Sequence, residues 1–506
     1  MSQNEFLVFD AIQRSALLYG NKDAYVDRSS RLTYEAYRDL CEGYAAGLLK
    51  KGVVAGDRIA VLSTNCNELM ILFGAVAKIG AVLVPVNWRL KKEEIEYILS
   101  DCRPRYLFSS KEFCDLATST SATIDSLQNR YVLDSDNDGG NYISLKRLFS
   151  NEKIQPKEYF TGDSELLIIY TAAVDGRPKG CLLTQSNLMS TGLQMSHLFK
   201  IDERDCHICI LPLFHIGALS MMVATMLEGA KSVVLNRYDP DRTVQLIEKE
   251  KGTFFGTFPP ILASFLDAQK EADCDQSSLR GVAGLDSPET IQRFLKNNPN
   301  ATFFSLYGQT EAMPVCGGDY LVKPGSIGPA TLLTRIKLCD DFDNEVPSGK
   351  VGEICVRSPS VFKGYWGLSG QTEDTFRNGW HHSGDLGRFD NEGFLWYEGR
   401  KPEKELIKSG GENVYPIEVE QAILSHSLVE ETCVIGVPDQ EWGEAVAAIC
   451  VLKRGAVVSA QEICNFVSSK IAAYKKPKHV LFISDLPKKD TGRIDREQVK
   501  KTYRNL

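Results

Sequence analysis

Several short segments of the chain combine residue types that can contact phosphate groups. The first, YTAAVDGRPKG at residues 170–180, lies between an apolar run, predicted as a strand, and the polar start of a predicted helix. A loop in that place can present backbone N–H groups and the ammonium of Lys179 to phosphate oxygens. Its spacing is not that of the Walker motif, and alone the stretch Gly176–Gly180 is at least as typical of a surface turn.

The second segment, YGQTE at residues 307–311, follows the apolar run ATFFSL. Thr310 offers a hydroxyl to a phosphate, and Glu311 offers the hard carboxylate oxygen that Mg²⁺ prefers. A strand end of this composition is also often only the cap of a helix.

Three later segments have weaker signals of the same kind. In residues 379–400, Asp385 lies between glycines, where a carboxylate can approach a sugar diol, and Asn391–Gly393 is predicted as a hairpin turn. KSGGENVYP at 408–416 is predicted as a Gly-Gly loop that opens a helix, and LPKKDTGRIDR at 486–496 as a basic turn. Each of the three, taken alone, is more typical of an ordinary surface loop.

The elements that must position these segments alternate along the chain. Short β-branched runs such as 58–63, 81–86, 105–110, 165–171 and 231–236 alternate with amphipathic stretches such as 91–100 and 241–249. This pattern predicts α/β layers with largely parallel sheets. After about residue 400 two helical patterns and three short strands predict a small α+β domain, so we expect domains at 1–403 and 404–506.

Composition excludes several classes of protein. The formal net charge of -8, without a basic tract, argues against nucleic acid or an anionic membrane as a partner. Residues 70–86 are too short and too interrupted for a transmembrane segment and predict a buried helix, a turn at Gly80 and a buried strand. The 14 cysteines, without a signal peptide, predict reduced thiols and a cytoplasmic location, and Cys206–Cys209 is predicted as core strand rather than metal site.

Taken together, the five segments resemble the adenylate-forming (AMP-binding) superfamily of acyl-CoA synthetases, adenylation domains and luciferases. Their order and spacing match over essentially the whole chain. The resemblance implies an α/β fold with a large N-terminal domain of stacked sheets and flanking helices, and a small mobile α+β C-terminal domain. It implies a small-molecule carboxylic acid, ATP, Mg²⁺ and coenzyme A as ligands, and an acyl-adenylate as intermediate. The sequence does not specify the oligomeric state, and a homodimer is expected only because dimers are common.

The resemblance also implies roles for residues at matching positions. It implies phosphate contacts at Thr171, Gly176, Lys179 and Thr310, and a Mg²⁺ ligand at Glu311. Nucleoside contacts are implied at Ala283, Gly284, Leu285, Tyr307, Gly308, Gln309, Asp385 and Arg400. His215 matches the gate of the acyl pocket, Lys404 the hinge, and Gly410, Gly411 and Glu412 the loop at the pantetheine tunnel.

Two departures from the superfamily pattern bear on function. The phosphate loop has lost most of its hydroxyls and one glycine and has gained Asp175, and Arg493 stands where a lysine usually bridges carboxylate and α-phosphate. The leading interpretation is an acid–CoA ligase for a medium-sized hydrophobic acid, aromatic, alicyclic or fatty. An enzyme that loads a carrier-protein thiol and a nucleotide-binding pseudoenzyme are the alternatives.

We predict that Arg493 acts in adenylation alone. Arg493→Ala should slow acyl-adenylate formation roughly ten- to a hundredfold, the effect of losing one charge-assisted hydrogen bond, and leave transfer from preformed acyl-adenylate to CoA nearly intact. Arg493→Lys should preserve or raise the adenylation rate. Single-turnover measurements of each half-reaction test this, and an alanine variant that adenylates at the parent rate would transfer the role to Lys488 or Lys489.

Overall fold

The structure is a computed structural model that describes residues 6–157, 159–171, 177–401, 405–489, 494–504 and 506. Its α-helices are α1 Val8–Tyr19, α2 Tyr34–Lys50, α3 Asn67–Ile79, α4 Lys92–Cys102, α5 Cys114–Thr120, α6 Gln185–Phe199, α7 Ile216–Glu228, α8 Pro240–Glu250, α9 Ile261–Glu271, α10 Pro288–Asn297, α11 Ser369–Thr375, α12 Pro416–Leu424, α13 Ala460–Lys470 and α14 Arg496–Tyr503.

The strands of the large N-terminal part are β1 Asp23–Val26, β2 Arg31–Thr33, β3 Arg58–Leu62, β4 Val82–Val86, β5 Tyr106–Ser109, β6 Asn129–Val132, β7 Tyr142–Ser144, β8 Glu165–Thr171, β9 Lys179–Thr184, β10 Cys206–Cys209, β11 Lys231–Val234, β12 Phe254–Thr257, β13 Gly281–Gly284, β14 Thr302–Gln309, β15 Ala312–Asp319, β16 Arg335–Cys339, β17 Gly352–Arg357, β18 Gly364–Tyr365, β19 Phe376–Arg377, β20 Trp380–Phe389 and β21 Leu395–Arg400. Those of the C-terminal part are β22 Ile407–Ser409, β23 Glu412–Val414, β24 Val429–Asp439, β25 Gly443–Leu452 and β26 His479–Ile483.

Two eight-stranded sheets form the large part of the molecule. The first has the order β15-β14-β13-β12-β10-β11-β1-β2 and the second the order β18-β9-β8-β4-β3-β5-β6-β7. Most of their strand pairs are parallel, whereas the β14–β15, β1–β2, β8–β9 and β18–β9 pairs are antiparallel. Buried side chains of α3, α6 and α7 join those of both sheets in one apolar core. The α/β prediction with stacked sheets is confirmed.

A third sheet departs from the prediction of parallel pairing. Strands β16, β17, β20, β19 and β21 pair only in antiparallel fashion. Longer connections lead from β16 to β17 and from β17 to β20, but short turns close the β19–β20 and β20–β21 hairpins and permit only antiparallel pairs there. The predicted turn at 391–393 is one of them, closed by a hydrogen bond from the Asp390 N–H to the Phe394 carbonyl at 3.0 Å.

The apolar run at 70–86 folds as its sequence predicts. Helix α3 ends at Ile79, Gly80 has a φ of 70°, and its N–H donates to the Val76 carbonyl before β4 begins. A side chain at Gly80 would also meet the ring of Phe160 at 2.8 Å, so glycine is required on two grounds. In the described part of the chain, no helix combines the length and apolar character needed to cross a membrane.

The small C-terminal part is an α+β unit. Its sheet has the order β23-β22-β25-β24, and β26 pairs parallel with β25. The helices predicted at 417–425 and 460–471 are α12 and α13, and the strands predicted at 432–437, 445–452 and 479–483 are β24, β25 and β26. Residues Gly410 and Gly411 do not open a helix directly. They form the turn of the β22–β23 hairpin, and α12 begins only at Pro416.

Candidate active site

A cavity of about 430 Å³, here named the polar cleft, lies where the turn after β14 faces the start of β9. Its wall includes seven of the residues singled out from the sequence, namely Thr171, Lys179, Gly308, Gln309, Thr310, Glu311 and Arg400. The fold therefore brings the first and second phosphate-type segments together with the end of β21. A cleft of this size with mixed hydroxyl, carboxylate and cationic walls suits a phosphorylated ligand.

A second cavity of about 800 Å³, the apolar cavity, adjoins the polar cleft. Residues Gly308, Gln309, Thr310 and Arg400 line both cavities, so the two meet along the end of β14. The apolar cavity is also lined by His215, Ala283, Gly284, Leu285, Tyr307 and Gly411, all of them candidate residues. Strand β13 supplies Ala283 and Gly284 at its carboxyl end, the edge at which α/β sheets bind ligands.

The turn at Thr310–Glu311 joins two antiparallel strands rather than capping a helix. Strand β14 continues through Gln309, and β15 begins at Ala312 with the register Gln309↔Ala312. The Glu311 carboxylate accepts a hydrogen bond from the Tyr365 hydroxyl at 2.9 Å, and the Glu311 carbonyl accepts one from the Phe362 N–H at 2.8 Å. The turn is thus fixed by contacts to a segment about fifty residues later in the chain.

Lys179 is the first residue of β9, not part of a loop that leads straight into a helix. It pairs with Thr171 across the β8–β9 hairpin, and helix α6 begins only at Gln185, after β9. The Lys179 ammonium lies 5.4 Å from the centroid of the Tyr365 ring. The described ends of the predicted phosphate loop, Thr171 and Lys179, therefore belong to two antiparallel strands, and its residues 172–176, Gly176 among them, lie outside the described residues.

Asp385 is fully buried in β20. Its Oδ2 accepts hydrogen bonds from the Tyr307 hydroxyl at 2.7 Å and the Gln309 amide at 2.5 Å. Its Oδ1 lies 3.4 Å from the Tyr397 hydroxyl and 2.7 Å from Arg400 Nε, although the Nε–H direction does not meet hydrogen-bond geometry. Burial opposes the charge of Arg400, but Asp385 and the neighbouring tyrosines together outweigh it and raise the pKa of the guanidinium. Both oxygens of the Asp385 carboxylate, which is expected to contact the ribose, therefore already have hydrogen-bond donors from the protein.

The Gly410–Gly411 turn lies against the N-terminal part of the molecule. Gly410 has a φ of 56° and Gly411 a φ of 76°, the combination of a tight hairpin turn that favours glycine at both positions. A Cβ on Gly411 would lie 2.0 Å from the ring of Phe258, which lines the apolar cavity. The backbone of the turn therefore lies so close to the cavity wall that only glycine, which has no side chain, fits at this position.

Glu412, the residue after this turn, connects the two parts of the molecule. Its buried carboxylate pairs with Arg89 of the loop after β4 and lies 3.3 Å from His215 Nε2. Burial opposes ionisation, but His215 and Arg89 outweigh it and lower the pKa of Glu412. The expected gate of the acyl pocket is thus in direct contact with the expected tunnel loop.

Two further candidates, Lys404 and Arg493, lie outside the described residues. Lys488, considered as a substitute for Arg493, forms ion pairs at 2.8 Å with Glu431 and at 3.7 Å with Asp485. It lines neither the polar cleft nor the apolar cavity.

Two residues at the site were not predicted from the sequence: Tyr365, which contacts Glu311 and Lys179, and Arg89, which pairs with Glu412. Lys408 lies in the predicted segment 408–416 but was given no role, and it lines both cavities. Burial lowers the pKa of the Lys408 ammonium, although Asp385 partly offsets this effect. The position of Arg89 just after a buried parallel strand was the one usable signal, because ligands gather at the carboxyl ends of such strands.

One buried group beside the cleft has the composition of a metal site. Donor atoms of Glu353, Cys355 and His382 lie within 4.8 Å of one another. Lys401 Nζ lies 3.1 Å from Glu353, and Arg377 Nη2 lies 2.7 Å from His382 Nδ1, so two cations already occupy the positions next to the donors. Glu353 also accepts the Gly384 N–H at 3.0 Å. The group supports the backbone next to Asp385 instead of offering a free metal site.

The prediction that Cys206–Cys209 is a strand in the core is confirmed. Both cysteines and His207 are buried in β10, and the His207 ring stacks on Phe254 with centroids 5.1 Å apart. Burial lowers the pKa of His207 to about 3, so the imidazole is neutral.

Comparison with known proteins adds a family to this geometry. A family model described as "AMP-binding enzyme" matches residues 12–366, and "AMP-binding enzyme C-terminal domain" matches residues 418–493. The indoleacetate–CoA ligase of Aromatoleum aromaticum is 32% identical over 97% of this chain and 96% of its own length. A long-chain-fatty-acid–CoA ligase of Mycobacterium tuberculosis is 32% identical over 97% of both chains.

Among solved structures, the chain resembles o-succinylbenzoate CoA synthetase from Bacillus subtilis, a double mutant bound with a product analogue. The TM-score is 0.85 at 27% identity, over 98% of this chain and 99% of that one. The coverage includes both parts of the molecule, so their relative arrangement contributes to the similarity.

Gly411 provides a test of the close approach to Phe258. Gly411→Leu should spare the first, adenylate-forming step and slow the transfer step implied by the resemblance. Overpacking costs roughly 1–3 kcal/mol, which corresponds to roughly five- to 150-fold in rate. The two half-reactions are measured separately under single-turnover conditions.

The matched control is Gly455→Leu. Gly455 also has a positive φ, of 79°, but a Cβ there meets nothing within 4 Å. It carries the same backbone strain without the contact, so both half-reactions should stay near the parent rates. Equal losses in both half-reactions of the Gly411 variant would contradict the assignment.

Proposed function

This chain belongs to the AMP-binding enzyme family, and we propose that it is an ATP-dependent carboxylic acid–CoA ligase. The observation that carries the proposal is the junction of two cavities along Gly308–Thr310, with the Gly411 turn at the wall of the apolar one. One cavity suits phosphates and the other a hydrophobic acyl group, and their shared wall is where an acyl–phosphate bond would form.

In the first half-reaction, a carboxylate oxygen of the acid attacks the α-phosphorus of ATP. The new bond joins that oxygen to phosphorus, the bond to the bridging oxygen breaks, and pyrophosphate leaves with the electron pair. Such a reaction needs in-line positioning and charge neutralisation more than covalent help. We propose that Lys179 and Thr310, which both line the polar cleft, contact the phosphates.

Asp385 and Arg400 are proposed to bind the ribose. Because the Asp385 oxygens already accept from Tyr307, Gln309 and Tyr397, a ribose diol has to replace one of these donors. Such an exchange keeps the buried carboxylate hydrogen-bonded throughout, which avoids the cost of leaving a buried charge unpaired.

The residues present fit a Mg²⁺ ion. The Glu311 carboxylate lines the polar cleft beside the Thr310 hydroxyl, and oxygen donors of this hard type are those that Mg²⁺ prefers. When bound, the ion would offset the negative charge that develops on the leaving pyrophosphate. We therefore propose Glu311 as its protein ligand.

In the second half-reaction, the thiol of CoA attacks the acyl carbon, a thioester forms and AMP leaves. The orientation of the small part in this structure supports this step. The Gly410–Gly411 turn borders the apolar cavity, and Glu412 contacts His215, the proposed gate. The similarity to a CoA synthetase bound with a product analogue points to the same orientation.

The acid is proposed to be a medium-sized hydrophobic one, aromatic, alicyclic or fatty. Helix α7 lines the apolar cavity with Ile216, Ala218 and Met221, and Leu306 and Met313 add to the same wall. Two relatives are named as CoA ligases of indoleacetate and of long-chain fatty acids, and both of these substrates are hydrophobic acids.

Three further expectations stay predictions: a homodimer, domains at 1–403 and 404–506, and a cytoplasmic location without a nucleic-acid partner. All 14 cysteines are free thiols in the structure, as a reducing compartment requires.

The proposal predicts acid-dependent release of AMP and pyrophosphate, with acyl-CoA as product when CoA is present. The purified protein is incubated with ATP, Mg²⁺, CoA and single acids, and nucleotides and thioesters are quantified by chromatography. Glu311→Gln should reduce turnover at least tenfold without lowering the melting temperature, because it removes a ligand contact and no packing. It serves as the inactive control.

Other product patterns distinguish the alternatives. Formation of ADP and phosphate would contradict the proposal, since attack would then occur at the γ-phosphorus. Acyl-adenylate without transfer to CoA would indicate loading of a carrier-protein thiol, and nucleotide binding without turnover a pseudoenzyme.

A further inference from the structure

One tyrosine contacts two of the proposed phosphate-binding residues at once. The Tyr365 hydroxyl donates to Glu311 Oε1 at 2.9 Å, and the Lys179 ammonium lies 5.4 Å from the centroid of the Tyr365 ring. Lys179 is on β9 of the second sheet, and Glu311 follows β14 of the first sheet. Tyr365 therefore bridges the two large sheets at the polar cleft, which it lines.

The bridge is anchored in the backbone on both sides. Tyr365 belongs to β18, which pairs antiparallel with β9 in the register Tyr365↔Cys181. Three residues earlier, the Phe362 N–H donates to the Glu311 carbonyl, and Val361 forms a β-bridge with Ala312. One short segment, 361–365, thus holds the backbone around Glu311 and, through strand pairing, the start of β9.

The hydroxyl of Tyr365 can only act as a donor toward Glu311. An ionised carboxylate offers only acceptors, so the phenol supplies the proton of this hydrogen bond. Within the described part of the chain, this is the one hydrogen bond to the Glu311 carboxylate, and it engages Oε1. The second carboxylate oxygen is left for a cation, and rotation of the carboxylate is restricted by the bond.

We propose that Tyr365 is a positioning residue that orients the Glu311 carboxylate for a divalent cation and holds the Lys179 ammonium beside the same site. The inference rests on the proposed function, because it concerns how the metal–ATP complex is bound. A tyrosine that only fills space would contribute through its ring, which contacts Phe362 with centroids 4.8 Å apart. The hydroxyl and the ring therefore have separable roles.

Tyr365→Phe separates them, since it removes the hydroxyl and keeps the ring under Lys179. Binding of Mn²⁺, as a stand-in for Mg²⁺, is measured by electron paramagnetic resonance with the parent and the variant, each saturated with a non-hydrolysable ATP analogue. We expect Mn²⁺ affinity to fall about tenfold, as for loss of a hydrogen bond to a charged group. In turnover assays, the Mg²⁺ concentration for half-maximal adenylation should rise by a similar factor, while transfer from preformed acyl-adenylate to CoA stays unchanged.

Tyr238→Phe is the matched control. Its hydroxyl is also partly buried and hydrogen-bonded, to the Ile261 carbonyl at 2.9 Å and to Ser264 at 2.7 Å, but Tyr238 lines neither the polar cleft nor the apolar cavity. Its Mn²⁺ affinity should equal that of the parent. Thermal unfolding of each variant confirms that the comparison is between folded proteins.

A double-mutant cycle tests whether Tyr365 acts through Glu311. Glu311→Gln should weaken Mn²⁺ binding by itself, and adding Tyr365→Phe to it should cause little further loss, because both changes disrupt one arrangement. Additive losses in the double variant would overturn the inference. So would a Tyr365→Phe variant that binds Mn²⁺ as tightly as the parent, and so would a parent protein that binds no Mn²⁺ in the presence of the ATP analogue. If Tyr365→Phe weakens Mn²⁺ binding but the parent protein forms no acyl-CoA, the inference is supported and the proposed function is refuted.

Discussion

A single buried carboxylate, that of Asp385, joins the parts of the molecule that form both cavities. Tyr307 and Gln309 reach it from β14 of the first sheet, and Tyr397 and Arg400 reach it from β21 of the third sheet. Removing one partner of a buried ion pair costs about 3–5 kcal/mol, because the remaining charge is left uncompensated. The ends of β14 and β21 therefore have to stay together, and both cavities depend on that junction.

The same junction fixes where the small C-terminal part begins. Arg400 is the last residue of β21, and the described chain resumes at residue 405, just ahead of β22. From this starting point, contacts across the boundary determine the orientation. Glu412 pairs with Arg89, and the buried Lys475 ammonium pairs with Glu94 of α4 and with Glu418 of α12. The Glu412–Arg89 and Lys475–Glu94 pairs cross the boundary and form only while the two parts are docked in this way, whereas the Lys475–Glu418 pair lies within the small part.

Local signals in the sequence predicted local structure well. The apolar run with Gly80 in its middle specified a helix, a left-handed turn and a strand, because only glycine adopts that φ without cost. The small α+β part was equally readable from its periodicity. Apolar periodicity also predicted the layers, since it records which faces are buried. It missed the antiparallel third sheet, because it does not record which strands pair or in which direction.

Contacts between distant segments were not predictable in this way. Nothing in the sequence around Tyr365 indicates that its hydroxyl reaches Glu311, because the pairing depends on how β18 is placed beside β9. The Gly410–Gly411 pair was read as a loop before a helix, although two glycines with positive φ suit a hairpin turn equally well. The motif order located the site, whereas the docking of strands determined which side chains meet in it.

The docked arrangement has a consequence for how one site can serve two reactions. The Gly411 turn is packed against Phe258 so closely that no other part of the small domain can lie there at the same time. Lys488, which precedes the C-terminal turn, is paired with Glu431 on the small domain itself and lines neither cavity. If that turn supplies a cation to the polar cleft during adenylation, as proposed, the Glu412–Arg89 and Lys475–Glu94 pairs have to break first. In the proposed mechanism these ion pairs then oppose adenylation and stabilise the orientation proposed for thioester formation, so their strength contributes to the balance between the two orientations.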